Sequence, residues 1–299
     1  MKVLIAATLA VCGVASAQIM WAPKGEPAVY TAAHKPHTKL KEVIAKNKGK
    51  AEWRELVVDD KHLTSSYMQL KPGYRSPKAL YPDTRVWWVV LDGEVKFDIE
   101  TKAPFVAKKG SMVQAPYQTW FQYETVGQNP AVMFVTTPQG AKLLFDESVT
   151  APPKMAGMEM VKVRFNNRVV GKWQRGNVAH LTFDEVAAEM ESGKRKGTQR
   201  IVEDDRGVAN FIYGYNSKLP PVDPKVKGHY HPEGSEYWLI MKGQIRYPIE
   251  KAGTFVADEG DVIYVPPSTY HAPRWWGEGA SCRLAMNGFP DISHLFPPD

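Results

Sequence analysis

Four residues in the C-terminal part of the chain have the types and the spacing of a single metal site. His229 and His231 are separated by one residue, Glu236 follows after a short turn, and His271 lies farther along the chain. On a β-strand, side chains two residues apart project from the same face, so the first two imidazoles reach toward one point. Glu236 can return to that face on the adjoining strand, and His271 can close the site from a distant one. Imidazole and carboxylate ligands suit divalent first-row metals, and the absence of nearby cysteines argues against a structural zinc cluster.

Glycine and proline residues frame these four positions. Gly228 precedes the histidine pair, Gly243 follows the glutamate, and Gly260 begins a segment that reaches Pro266 shortly before the last histidine. This arrangement resembles the two sequence motifs of the cupin superfamily, Gly…His-X-His-X4-Glu-X6-Gly and Gly-X5-Pro…His. Four ligand residues at the expected spacing inside a matching frame are a specific signal. The clear match covers residues 228–287, and an internal repeat extends the resemblance to most of the mature chain.

The resemblance implies both a fold and a metal site. The fold is a double-stranded β-helix, or jelly-roll barrel, that holds one divalent transition metal per chain; Fe, Mn, Cu, Ni and Zn all suit the ligands. Residue by residue, the resemblance carries the ligands over as His229, His231, Glu236 and His271. It also implies a range of functions: dioxygenases acting on aromatic substrates, oxalate-type decarboxylases, sugar isomerases and binding proteins without enzymatic activity. The fold alone does not choose among these functions.

The expected activity is that of a metal-dependent oxidoreductase of the dioxygenase type, with a small organic and preferably aromatic substrate. Trp238 shares the strand parity of Glu236, and Trp275 stands where the superfamily usually has asparagine, so both are expected to line the substrate cavity. The alternative is that these indoles only pack the core. Arg246 and Arg274 can bind a carboxylate if they point inward, but an outward orientation is favoured. A metal-dependent decarboxylase or isomerase and a non-enzymatic ligand-binding or storage protein are the alternative functions.

The composition of the remaining segments predicts an all-β protein. Short stretches rich in Val, Tyr, Phe, Trp and Thr are bounded by Pro, Gly, Asp or Asn, as is typical of strands in a sandwich or closed barrel. In the first half these stretches are residues 52–58, 64–70, 86–91, 95–99, 111–115, 120–125 and 131–136. Helices are predicted at residues 38–47 and at residues 182–192, where Thr-Phe-Asp-Glu forms a capping box. The prediction is two jelly-roll barrels with a short helix leading into each.

The order of these segments repeats in the two halves. The turn glycine Gly93 corresponds to Gly243, and Gly110 corresponds to Gly260, after a helix and aromatic strands in each half. The ordered series favours an internal duplication whose boundary lies in a Pro-containing linker. The predicted segments are a signal peptide at residues 1–17, an N-terminal barrel at residues 18–150 and a C-terminal metal-binding barrel at residues 151–299.

The N-terminal barrel lacks the metal-binding residues. When the repeats are aligned, Val86 takes the place of the glutamate and Phe121 takes the place of the last histidine. This barrel is therefore not expected to bind metal in the same way. Its default role is structural support of the second barrel. Alternatively, this barrel forms a homodimer interface, or it binds an organic ligand through Trp87, Trp88 and Trp120.

The first residues determine the expected compartment. Lys2 gives a positive start, residues 3–14 are almost wholly apolar, and residues 15–17 are a small-residue cleavage site. This pattern is typical of a secretory signal peptide and is too short for a spanning helix; an uncleaved anchor is the alternative. Cleavage between Ala17 and Gln18 predicts a secreted or periplasmic protein. It also leaves Cys282 as the single cysteine of the mature chain, which predicts a buried thiol.

Composition and charge exclude several other classes. Hydrophobic residues make up 43% and charged residues 23% of the chain, which supplies a core and argues against wholesale disorder. The mature chain has a net charge of +5, that is, +6 less the charge of Lys2. Its basic runs are typical of solvated surfaces, and no nucleic-acid-binding motif accompanies them. The expected partner is a small-molecule substrate, with neither nucleic acid nor a membrane span after signal removal.

Overall fold

The computed structural model describes residues 19–298, and the predicted signal peptide lies outside them. Two β-barrels are joined by a connection that has no regular structure between residues 146 and 179. Helix α1 (Leu40–Lys46) precedes the first barrel and helix α2 (Phe183–Glu191) precedes the second. The predicted all-β class is confirmed. No helix within residues 19–298 has the length and apolar character needed to cross a membrane.

The strands are short and follow one another closely in both halves. In the first half they are β1 (His37–Thr38), β2 (Trp53–Asp59), β3 (Leu63–Leu70), β4 (Ala79–Leu80), β5 (Val86–Asp92), β6 (Glu94–Ile99), β7 (Phe105–Lys108), β8 (Ser111–Ala115), β9 (Phe121–Thr125), β10 (Ala131–Pro138) and β11 (Leu144–Phe145). In the second half they are β12 (His180–Thr182), β13 (Gln199–Asp204), β14 (Gly207–Tyr215), β15 (Glu236–Lys242), β16 (Gln244–Ile249), β17 (Gly253–Ala257), β18 (Val262–Val265), β19 (Arg274–Trp276) and β20 (Ala280–Asn287). A single 3₁₀ turn, Asn216–Lys218, follows β14.

Each barrel combines a large antiparallel sheet with a smaller one. In the first barrel the sheet β12-β8-β5-β10-β3-β2 packs on the sheet β11-β4-β9-β6-β7. In the second barrel the sheet β1-β18-β15-β20-β14-β13 packs on the sheet β17-β16-β19. The outermost strands are exchanged: β1, from the first half, pairs with β18, and β12, from the second half, pairs with β8. The segments that lead into the two barrels therefore tie the barrels to each other.

Apolar clusters fill both barrels and the space between their large sheets. Strand β5 is buried along six of its seven residues because both of its faces are covered. On this strand, Trp88 packs inside the first barrel and Trp87 packs between the large sheets. Strand β15 behaves in the same way, with Trp238 inside the second barrel and Tyr237 between the sheets. The burial of Trp87 and Trp88 favours the support role of the first barrel over ligand binding by these indoles.

Helix α2 begins at the predicted capping box. The Glu185 backbone N–H donates to the Thr182 hydroxyl, and the Thr182 backbone N–H donates to the Glu185 carboxylate. The observed helix is one residue shorter than predicted at each end. Helix α1 begins at Leu40, two residues later than predicted, because Thr38 pairs with β18 and is thereby held in extended conformation.

Candidate metal centre

The second barrel brings the four predicted ligands together. His229 and His231 lie on the extended segment before β15, Glu236 is the first residue of β15, and His271 lies shortly before β19. His229 N–H donates to the His271 carbonyl (3.1 Å) and His271 N–H donates to the His229 carbonyl (2.9 Å). One ligand atom from each of the four side chains lies within 4.8 Å of the others. Because nitrogen and oxygen ligands lie about 2 Å from a first-row metal ion, the cluster has the size of a one-ion site.

Gly228 allows the two histidine segments to approach this closely. Its φ angle is +76°, and a Cβ atom at this position would lie 2.0 Å from the carbonyl oxygen of His271. Real Cβ atoms do not come so close to a backbone oxygen, so any larger residue would push the segments apart. The glycine at the start of the first motif therefore has a direct geometric role in the ligand cluster.

Backbone carbonyls fix the protonation of two of the rings. His231 Nδ1 lies 2.7 Å from the Ser293 carbonyl oxygen, and His271 Nδ1 lies 3.0 Å from the Thr269 carbonyl oxygen. A carbonyl only accepts hydrogen bonds, so Nδ1 carries the proton in both rings. Nε2 is then free to present its lone pair, which is the usual arrangement for a histidine metal ligand.

The donor atoms of the cluster fit a divalent cation. The Nε2 atoms of His229 and His271 are buried and have no hydrogen-bond partner among the described residues. Glu236 Oε2 lies 3.0 Å from His231 Nε2 and 3.6 Å from His271 Nε2. Lone pairs that face a carboxylate oxygen in a buried space repel one another unless a cation or a proton lies between them. The four residues therefore suit the metal that the cupin resemblance implies.

The electrostatic environment keeps His229 and Glu236 in their metal-binding protonation states. Burial, reinforced by His271 and His231, lowers the pKa of His229 to about 3. Burial also disfavours ionisation of Glu236, but the neighbouring imidazoles of His231 and His271 outweigh it and hold the pKa of that carboxyl well below its usual range. His229 is thus neutral and Glu236 is ionised at neutral pH, as metal coordination requires.

The C-terminal tail covers the ligand cluster. Leu295 and Tyr230 exchange two backbone hydrogen bonds of 3.0 Å, which hold the tail along the histidine segment. The ring of His294 lies 4.6 Å from that of His229 and 4.8 Å from that of His231. Burial lowers the pKa of His294 as well. The sequence suggested His294 as a residue that could cover the cavity mouth, and its ring lies there. The Ser293 carbonyl was not identified, since a backbone acceptor has no signature in the sequence.

The two predicted substrate-binding tryptophans occupy different places in the barrel. The Trp238 ring is buried, 5.3 Å from the His271 ring and 5.0 Å from the Tyr247 ring, so it lies beside the ligand cluster. Trp275 is half-buried against the same interior apolar cluster, and the Arg283 guanidinium lies 4.9 Å from its ring. Both indoles face the barrel interior, and their contact with substrate stays a prediction.

Arg246 and Arg274 lie on the outside of the barrel. Their neighbours Ile245 and Tyr247 belong to the interior, so strand alternation points Arg246 outward, where its guanidinium lies 5.7 Å from the ring of Trp276. Arg274 is its register partner and donates to a loop carbonyl. The favoured outward orientation of both arginines agrees with these contacts.

The first barrel has an apolar interior where the second has its ligands. Val86 and Phe121, which replace the glutamate and the last histidine, are buried in the apolar cluster of that barrel. Within residues 19–298, the second-barrel cluster is the one group of His, Cys, Asp or Glu side chains placed to hold a metal ion. The expectation of a single metal per chain agrees with this distribution.

Comparison with known families supports the relationship that the motifs suggest. The family model of the cupin domain matches residues 217–286, the segment that contains all four ligands. Residues 217–286 of this chain therefore form a cupin domain. A search among curated protein sequences gave no match.

Solved structures extend the likeness in fold to both barrels. A cupin 2 conserved barrel domain protein from Leptotrichia buccalis has a TM-score of 0.57 at 10% identity, with 84% of this chain and 95% of that chain covered. Salicylate 1,2-dioxygenase from Pseudaminobacter salicylatoxidans has a TM-score of 0.61 at 11% identity, with 88% and 86% covered. A variant of that dioxygenase in complex with gentisate has a TM-score of 0.60 at 10% identity, with 89% and 84% covered. At this level of identity the likeness concerns the fold.

Proposed function

We propose that this cupin is a metal-dependent oxidoreductase of the dioxygenase type that acts outside the cytoplasm on a small aromatic substrate. The observation that carries the proposal is the buried set of three histidines and one glutamate, two of whose Nε2 atoms have no partner, next to an indole ring. A salicylate 1,2-dioxygenase and its gentisate-bound variant share the two-barrel fold, which supports an aromatic substrate.

The residues of the chain have distinct tasks in this proposal. A divalent first-row metal, when bound, supplies Lewis acidity and, if it is redox-active, the activation of dioxygen. His229, His231, Glu236 and His271 hold it, and the carbonyl groups on His231 and His271 keep two of the ligand rings in one orientation. Trp238 offers a flat apolar wall against which a substrate ring can stack. The C-terminal tail keeps bulk water away from the ligands.

Oxygen consumption tests the proposal directly. The protein purified from its native compartment would be analysed for metal and then assayed for oxygen uptake with a panel of phenolic and aromatic carboxylic compounds. We expect uptake that requires the metal and disappears in His271→Ala. The matched control is His180→Ala, because His180 lies on β12 at the edge of the first barrel, away from the ligands.

Other outcomes would redirect the assignment. Metal-dependent turnover without net oxygen consumption would show a decarboxylase or isomerase instead of an oxidoreductase. Absence of turnover, together with ligand binding that is unchanged after metal removal, would show a binding protein. Full metal occupancy in a His229→Ala, His231→Ala double variant would disprove the ligand assignment itself.

The extracellular location has its own test. Expression in a Gram-negative host followed by fractionation should yield mature protein in the periplasm or medium, with an N-terminus at Gln18 by mass spectrometry. Recovery of full-length protein starting at Met1 from the cytoplasm would contradict secretion and leave the proposed reaction unaffected.

A further inference from the structure

An arginine points into the interior of the second barrel without an ionic partner. Arg283 lies on β20, where Leu284 belongs to the cluster between the sheets and Ala285 belongs to the barrel interior. Strand alternation therefore places Arg283 inside with Ala285, and it pairs in register with Ile240 on one side and Ile212 on the other. Its exposure is 8%. A guanidinium among aliphatic strands is an unusual interior residue.

The guanidinium lacks the hydrogen bonds that burial demands. Its Nε and Nη1 atoms are buried without any acceptor, and none of the described carboxylates forms an ion pair with it. The ring of Trp275, 4.9 Å away, provides a cation–π contact but no hydrogen-bond acceptor. A buried charge without acceptors is strongly destabilising. Such a group calls for an acceptor from outside the chain, which an ordered water, an ion or a ligand can supply.

A second unpaired donor lies next to this arginine. The hydroxyl of Tyr247, on β16, is fully buried and has no hydrogen-bond partner among the described residues. Burial raises the pKa of Tyr247, and the Arg283 guanidinium, which lies near enough to act on the hydroxyl, opposes that rise. The hydroxyl therefore keeps its proton at neutral pH and can donate it in a hydrogen bond. Two donors, one of them charged, thus share one side of the barrel interior.

These donors are separated from the metal ligands by one layer of side chains. Trp238 lies between the two groups, 5.3 Å from the His271 ring and 5.0 Å from the Tyr247 ring. Ile240, the register partner of Arg283, is four residues from Glu236 on β15, or roughly 13 Å along the strand. The Trp238 indole therefore marks the side of the barrel along which a flat molecule would lie between the metal ligands and the Tyr247 hydroxyl.

We infer that Arg283 and Tyr247 form a carboxylate-binding subsite inside the second barrel, which orients an aromatic carboxylate with its anionic group away from the metal ligands. A carboxylate is planar and accepts two parallel hydrogen bonds from one guanidinium. It can accept a third from the Tyr247 hydroxyl. The indoles of Trp238 and Trp275 favour a flat organic anion over a small inorganic one. The identification of this anion as the substrate rests on the proposed function.

Benzoate is a suitable probe because it has one carboxylate on one flat ring. Its binding to the metal-loaded protein would be measured by isothermal titration calorimetry, with benzamide as the uncharged ring of similar shape. We expect benzoate to bind and Arg283→Gln to weaken it roughly ten- to a hundredfold, as the loss of charge-assisted hydrogen bonds implies. Tyr247→Phe should weaken it several-fold, and benzamide should bind the unmodified protein at least about tenfold more weakly than benzoate.

Arginines on the outer face of the same barrel supply the controls. Arg246→Gln and Arg274→Gln each remove one positive charge from the small sheet of this barrel, and both should leave benzoate binding unchanged. Equal benzoate affinity in Arg283→Gln and Arg246→Gln would overturn the inference, as would the absence of benzoate binding to the unmodified protein at millimolar concentration.

Two further measurements keep the test decisive. Because Arg283 is buried without an acceptor, the melting temperature of Arg283→Gln should be no lower than that of the unmodified protein. Benzoate should raise the melting temperature of the unmodified protein but not that of Arg283→Gln. If Arg283→Gln does not fold, Arg283→Lys retains the charge without the two-pronged geometry. A marked loss of benzoate affinity in Arg283→Lys supports the subsite, and unchanged affinity contradicts it.

The subsite and the proposed reaction can fail separately. Arginine-dependent benzoate binding in a protein that consumes no oxygen with any aromatic acid would leave the subsite standing and remove the oxidoreductase assignment. If the protein consumes oxygen with aromatic acids and the KM for these acids is unchanged in Arg283→Gln, the oxidoreductase assignment stands and the subsite is disproved.

Discussion

The substitution Gly228→Ala tests how the fold assembles the metal centre. Gly228 has a φ of +76°, and an added Cβ atom would lie 2.0 Å from the His271 carbonyl oxygen. That oxygen accepts a hydrogen bond from His229 N–H and cannot move away without breaking the bridge between the two ligand segments. Gly279 is the matched control, because its φ is also +76° and no atom lies within 4 Å of an added Cβ.

Both variants strain the backbone at a positive φ, but only Gly228→Ala also disturbs the hydrogen bonds between His229 and His271. A non-glycine residue in the left-handed region costs about 1–2 kcal/mol at either position. Gly228→Ala also breaks the two backbone hydrogen bonds between His229 and His271, which contribute about 1 kcal/mol each. We therefore expect Gly228→Ala to lower the free energy of unfolding by about 2 kcal/mol more than Gly279→Ala does. Metal affinity should fall about tenfold or more, because the ligands lose their support.

Urea unfolding of the metal-free protein and metal titration followed by calorimetry would measure these two effects. Gly279→Ala should bind metal as the unmodified protein does. Equal unfolding free energies and equal metal affinities in the two variants would refute the claim that the close approach at Gly228 holds the ligand segments together.

Three further expectations follow from the contacts outside the ligand set. Deletion of the chain from Ser293 onward removes the carbonyl that orients His231 and should lower metal affinity about ten- to a hundredfold, whereas deletion from Pro297 should not; equal affinities would contradict the role of the tail. Burial raises the pKa of the Cys282 thiol to about 12, so a thiol reagent at neutral pH should react only after denaturation, and rapid labelling of native protein would contradict this. The hydrogen bond from Arg168 outweighs burial and lowers the pKa of Glu100. The contribution of the Glu100–Arg168 pair to stability is therefore fully present above the usual pKa of a glutamate, and it is lost as the pH falls through the pKa of Glu100 in the folded protein. Proteolysis of the connection at residues 146–179 should accelerate over that acidic range, but not in Arg168→Ala.

The grouping of the four candidate ligands could be predicted from the sequence because much of its geometry is local. His229 and His231 share a strand face by spacing alone, and the glycines that shape the turns lie within a few residues of them. Strands β5 and β8 were predicted closely, because a mostly apolar run of residues between turn residues marks a strand that is buried on both faces. The capping box of α2 is equally local, since Thr182 and Glu185 contact each other across one turn.

Other features depend on residues far apart in the sequence. The exchange of β1 and β12 between the barrels has no signal in segments of two and three residues. The covering tail reaches the ligands through Ser293 and His294, which only the closed barrel brings near them. Arg283 was missed because the strand pattern did not reveal which face of β20 forms the barrel interior. Its unpaired state becomes visible only when its neighbours are in place.

The metal-free barrel has a definite part in building the metal centre. Glu236 is flanked by Ser235, whose hydroxyl donates to Asp60, and by Tyr237, whose hydroxyl lies 2.7 Å from that of Ser65. Both partners belong to the first half of the chain. A slip of one residue in β15 would turn Glu236 toward the space between the sheets and Tyr237 into the barrel. The contacts on either side of Glu236 oppose that slip. The first barrel can therefore lack every metal ligand and still determine where the carboxylate of the second barrel points.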